Sequence, residues 1–205
     1  GITAPAYAVT KHYDIQHPND DLETVTFVDG FGRAVQVKKD GVVTSASKGN
    51  SAKDENVMIV SGRNVYDAFG RVAKAFYPTT EGTGSKSTFN KSFDNVSPTV
   101  TVYDVLDRAT SVTLPDNSTT TTAYTVDNGS HALVTTVTDA LHNVQATHTN
   151  GSGKTLKTIQ KSGPDGEITT SFEYDGIQRL VRVTDTEGNV TTSTYDMGDR
   201  RTEVN

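Results

Sequence analysis

Cysteine is missing from all 205 residues, which excludes disulfides, thiolate metal sites and a cysteine nucleophile. Tryptophan is missing too, and no apolar run approaches the roughly 20 residues of a membrane-spanning helix. The first residues also lack the charged and apolar regions of a secretory signal. Basic residues are outnumbered, with 19 Lys and Arg against 25 Asp and Glu, for a net charge of −6. That balance disfavours an electrostatic grip on nucleic acid or anionic lipid, since both need clustered positive charge. Hydrophobic residues make up only 33%. Glycine raises the apolar share to about 41%, below the usual 45–50% or so. This is thin for a thick core but enough for strands with one buried face. Threonine (33 residues) and valine (24) are abundant instead. These β-branched types suit a pleated, half-buried surface, so the expected class is all-β with one wet face.

A motif recurs along the chain. It is complete at Tyr66-Asp67-Ala68-Phe69-Gly70-Arg71 and returns with changes around Asp29, Gly32 and Arg33. Further copies carry Tyr103, Asp104 and Arg108, then Tyr174, Asp175 and Arg179, then Tyr195, Asp196 and Arg200. A weaker sixth runs from Thr138-Asp139 to His142-Asn143. Reiteration marks a repeat architecture, whereas a catalytic constellation normally occurs once. Asp, two free positions and Gly describe a tight hairpin. The Asp side chain accepts backbone N–H groups just ahead of it, and the Gly takes the left-handed conformation of a bulge. Gly32 and Gly70 meet that demand, and Asp107, His142 and Asp199 are types tolerated there. Gln178 fits worst, so its turn is expected to differ. The Tyr and Arg are read as staples facing one another across the two strands of each hairpin.

Other turn signals lie between the motifs: Lys39-Asp40-Gly41, Pro115-Asp116-Asn117, Asp127-Asn128-Gly129, Asn150-Gly151, Pro164-Asp165-Gly166 and Glu187-Gly188-Asn189. From Asp104 onward, turns fall every 9 to 15 residues, as in an antiparallel meander. Every second turn (104, 127, 150, 175, 196) gives a hairpin unit of 21 to 25 residues. Strands between them alternate, as in Ala34-Val35-Gln36-Val37-Lys38, predicting one buried and one solvated face. Two polar stretches, 48–56 and 79–92, are expected as long surface loops. No segment carries a helical period, and 154–161 fits a strand equally well. Residues 1–205 are expected to be one module, with 1–27 leading in and 28–205 repeating, cut from a larger protein.

Chemistry is sparse. Asn150-Gly151-Ser152-Gly153-Lys154-Thr155 resembles a phosphate loop but lacks the leading Gly and a following helix. His12, Asp14, His17, Asp20 and Asp21 crowd together, yet Pro18-Asn19-Asp20-Asp21 is ordinary turn chemistry. The acidic pairs Asp20-Asp21 and Asp54-Glu55 are read as solvated loop charges, not as a glycosidase pair. His131, His142 and His148 lie near turns without a nucleophile context. No catalytic residue, metal ligand or cofactor is assigned.

The repeated motif resembles the YD repeats of the RHS family: bacterial Rhs proteins, toxin-complex B/C subunits, wall-associated proteins and teneurins. The similarity runs from about Asp29 to Arg200, and 12–33 is similar to the region preceding the repeats in toxin-complex-like members. The resemblance implies a long curved strip of β-hairpins, wound in the full-length protein into a hollow shell. Such a shell encloses a C-terminal toxin or effector, or forms a cell-surface module. A non-catalytic, secreted or cell-surface segment is therefore expected, with other segments of the same protein as partners. Carbohydrate binding, with Tyr7, Tyr13, Tyr77 and Tyr124 as platforms, is the alternative. Open sheet edges add an expectation of edge-to-edge self-association.

Overall fold

The computed structural model describes residues 5–13, 15, 21–45, 52–162 and 166–205. Among them regular structure is almost wholly strand, every pairing is antiparallel, and the only helical pieces are two short 3-10 turns. The chain is all-β. Contacts divide it into two units, residues 1–101 with 114–116 and residues 102–113 with 117–205.

The strands up to the boundary are β1 (Ala6–His12), β2 (Leu22–Val28), β3 (Ala34–Ser45), β4 (Lys53–Ser61), β5 (Asn64–Tyr66), β6 (Val72–Ala75), β7 (Thr79–Gly82) and β8 (Thr99–Tyr103). One sheet runs β1-β2-β3-β4-β7, while β6 pairs with β5 and with the first residues of β8. In β2 the alternation works as the pleat demands: Glu23, Val25 and Phe27 are buried, Thr24 and Thr26 half-buried. Phe27 packs between Tyr7 (centroids 5.4 Å apart) and the edge of Phe89 (5.6 Å). Val25, Phe27 and Val35 form a cluster with Tyr66 and Phe89 against it, and Met58 and Val60 are also fully buried.

The sequence misleads at β3. Gln36 and Lys38, expected on a wet face, are both 0% exposed. The segment after β7 folds back over them. Gln36 Nε2 donates to the Asn90 carbonyl (3.0 Å), and Asn90 N donates to Gln36 Oε1 (2.8 Å). The Lys38 ammonium donates to the Glu81 carboxylate and to the carbonyls of Ser85 (2.8 Å) and Thr88. Burial is tolerated because these polar groups are partnered. The stretch 79–92 is thus not a plain surface loop but β7, a 3-10 turn at Thr83–Ser85 and a covering strap. Likewise Lys53 to Asn56 belong to β4, while 48–51 of that expected loop lie outside the described residues. Lys39-Asp40-Gly41 is no turn either, since it lies inside β3. Asp40 Oδ2 accepts Glu23 N (2.6 Å), and a Cβ on Gly41 would fall 2.5 Å from Ile59 Cδ1. Glycine there makes room for a neighbour.

The second unit is a meander in chain order: β9 (Ala109–Thr113), β10 (Thr119–Asp127), β11 (Ala132–Thr138), β12 (Val144–Thr149), β13 (Thr155–Lys161), β14 (Glu167–Tyr174), β15 (Leu180–Thr184), β16 (Val190–Tyr195) and β17 (Arg201–Val204). Successive turns alternate between the two edges, so the turns at 104, 127, 150, 175 and 196 share one edge, at the period read from the sequence. Pro164 and Asp165 lie outside the described residues. The expected buried face is barely present. Only Ala132, Val134 and Ala146 are buried among the described residues of this unit.

Candidate functional site

The repeated motif is the one chemical feature the fold multiplies. In the turn after β2, Asp29 Oδ1 accepts the backbone N–H of Phe31 (2.9 Å) and of Arg33 (3.0 Å), and Oδ2 takes Arg33 Nε (2.8 Å). Backbone bonds close the loop, Asp29 N to the Arg33 carbonyl and Gly32 N to the Asp29 carbonyl, both at 3.0 Å. The same three side-chain bonds recur at Asp67 with Phe69 and Arg71, Asp104 with Leu106 and Arg108, Asp175 with Ile177 and Arg179, and Asp196 with Gly198 and Arg200, all between 2.7 and 3.1 Å. At Asp139 the amide of Asn143 replaces the guanidinium (2.8 Å).

Two further copies escape a search for Tyr-Asp. Asp185 holds Glu187 N, Asn189 N and Asn189 Nδ2 at 2.7–3.0 Å. Asn150 holds Ser152 N (3.0 Å) and Lys154 N (2.9 Å), so the phosphate-loop look-alike is a hairpin turn. Their signal is an Asp or Asn three residues before Gly153 or Gly188, both at positive φ (78° and 84°). Gln178 does not depart from the pattern as expected: its φ is +70°, and Asp175 makes the full set of bonds. The turn's hydrogen bonds outweigh the poor fit of a Gln side chain there.

The strand register shifts where the motif begins, at Val28, Tyr66, Tyr174 and Tyr195, giving the bulge the turn requires. The staple itself spans repeats. Arg33 lies 4.0 Å over the ring of Tyr66, Arg108 lies 3.9 Å over Tyr124, and Arg179 lies 4.9 Å over Tyr195. Lys154 stands in the same relation to Tyr174 at 5.9 Å. In each case the cation covers a tyrosine of a later strand, not the one in its own motif. That tyrosine's hydroxyl reaches back to the carbonyl just after the cation: Tyr66 to Ala34 (3.0 Å), Tyr174 to Thr155 (3.0 Å), Tyr195 to Leu180 (2.8 Å) and Tyr124 to Ala109 (3.5 Å). Tyr124, considered above as a sugar platform, is a staple covered by Arg108. Arg179 also reaches the Asp196 carbonyl (3.1 Å) and Asp199 Oδ1 (3.0 Å), tying together two turns that neighbour each other on one edge. Tyr103 ends β8, and Arg200 lies on the surface with its Nε on Asp196.

These bonds keep the carboxyls ionised. The side-chain N–H of the partner Arg holds Asp29 and Asp104 below the usual carboxylate range, against opposing desolvation. Backbone N–H groups of Arg179 and Arg200 lead in lowering Asp175 and Asp196. In Asp67 desolvation pushes upward, and the backbone and side-chain N–H groups of Arg71 together outweigh it. Asn143 and Asn189 lower Asp139 and Asp185 through their side-chain amides. The arrangement can brace a hairpin and link it to the next, and each carboxylate is already committed to its own turn.

Among the described residues no other chemistry assembles. Among the described residues no three His, Asp or Glu converge to hold a metal ion, and Asp14, His17 and Asp20 lie outside them. Asp54 and Glu55 sit on β4, not in a loop, with Asp54 accepting the Thr44 hydroxyl (2.5 Å). His131 and His142 occupy turns at positive φ, and His148 lies 3.8 Å from Asp127.

No curated protein matches the chain. Among solved structures, the crystal structure of TcdB2-TccC3-TEV matches 100% of the chain at a TM-score of 0.62 and 17% identity. That of TcdB2-TccC3 matches 100% at 0.61 and 16%, and that of TcdB2-TccC3 without its hypervariable C-terminal region matches 97% at 0.58 and 16%. The chain spans 12% of the length of each, and at such identity the likeness is one of fold. Residues 174–205 match the RHS Repeat family model, and residues 3–125 match the model described as Domain of unknown function (DUF6443). With more than half of its length matched by the latter, the chain belongs to the DUF6443 family, and it carries a match to the RHS Repeat at residues 174–205.

Proposed function

We propose that this chain is a non-catalytic stretch of wall in an RHS-type shell or cell-surface protein, which in full length encloses or presents a C-terminal toxin or effector. The observation that carries this reading is the linkage between repeats: Arg33, Arg108 and Arg179 each brace their own turn and cover a tyrosine of a later strand. Such a device gains by repetition, and it leaves no repeated carboxylate free to move a proton. The motif residues from Asp29 to Arg200 then act as structural links across one continuous module. A wall has an outside, which fits a secreted or cell-surface location. No helix among the described residues is long and apolar enough to cross a membrane. The partners are other segments of the same protein. The outer edges of β1 and β17, each paired on one side only among the described residues, offer places for a further strand, including one from another copy.

Limited proteolysis of the full-length protein tests the reading. A C-terminal segment that resists protease until denaturant opens the protein is the expected result. Immediate cleavage of that segment in the native protein contradicts enclosure.

A further inference from the structure

Across β10 to β16 the register sorts charge onto one side of the sheet. Asp127, Lys157, Lys161, Glu167, Glu173 and Arg182 share a face with His148. Ion pairs lie along it, Lys161 to Glu167 at 2.7 Å and Arg182 to Glu173 at 3.8 Å. The opposite face of these strands bears no charged residue. On it Thr135, Thr147, Thr158 and Thr170 stand in register on four neighbouring strands, about 4.8 Å apart. Val126, Leu133 and Ile168 share this face and are 62%, 43% and 61% exposed. Cations reach it only at the rim, where Arg108 and Arg179 lie over tyrosines with their own aspartates beside them, and Lys154 lies over Tyr174.

Strand formation does not demand this sorting, since either face of a single layer in water accepts Lys or Glu. Burying a charged side chain costs far more than burying Thr or Val, so the side freed of charge is the side prepared to be covered. Resting on the wall reading above, we propose that the neutral face is the lumenal side and lies against an enclosed polypeptide, the C-terminal segment of the same protein, while the charged face meets solvent. The length fits: structures of this fold are several times longer than the chain, leaving ample polypeptide to enclose.

Single cysteines test the assignment, because the chain has none of its own. In the full-length protein, with any cysteines elsewhere replaced, Thr147→Cys and Thr158→Cys probe the neutral face. Lys157→Cys and Glu173→Cys probe the charged one. With a polymer-tagged maleimide, the charged-face variants should react fully and both neutral-face variants at least about tenfold more slowly, until denaturant removes the difference. Fast neutral-face and slow charged-face labelling overturns the assignment and leaves the wall reading standing. Slow labelling on both faces overturns it too, since the charged face would also be covered. Fast labelling on both overturns it as well and removes enclosure from the wall reading, leaving only a surface that presents the segment.

Discussion

In Asp175 both carboxylate oxygens point back into its own hairpin, one toward two backbone N–H groups and the other toward Arg179 Nε. That local geometry was legible, because it depends on residues at fixed short spacing. The partner of the arginine was not, because Arg179 reaches Tyr195 through strand register, which no four-residue pattern encodes. The hydroxyl of Tyr174 donates to Thr155 across that same kind of gap. Removing it in Tyr174→Phe should cost about 1 kcal/mol in urea unfolding while leaving the turn intact. An unchanged midpoint would show that the hydroxyl contributes nothing. Acid acts at the same scale. The motif carboxyls have folded pKa values below the ordinary Asp value of about 3.9, so their contribution is complete above that pH. It is lost as pH falls through the lower folded values. Thermal stability should therefore hold from neutrality to mild acid and fall below about pH 4. A maximum near pH 3 would give the wrong sign.

At the scale of elements, the hairpins were readable and β3 was not. Alternation assigned Gln36 and Lys38 to water, and only the return of residues 83–90 over the sheet buries them. A polar strand position that finds partners more than forty residues away leaves no local trace. Gly41 misled for a related reason, since a glycine that makes room for Ile59 reads like a turn glycine. Lys38 pins the strap, so Lys38→Met should leave Glu81 without its buried cation and cost about 3 kcal/mol or more. Hydrogen exchange should quicken at Ser85 to Asn90 before it does in β2. Uniform quickening across the first unit would mean that the strap is not separately held.

For the whole molecule, composition foretold the all-β class and overstated the buried face. An apolar share of about 41% supports a buried cluster in the first unit and almost none in the second. A meander with so little core of its own gains most from covering one face, which is what a shell wall does. Electron cryomicroscopy of the full-length protein tests the central claim most directly. The account predicts a hollow particle whose wall is one β-sheet thick and includes β9 to β17. A solid particle without a lumen, with both faces of that sheet buried in a globular core, would contradict it.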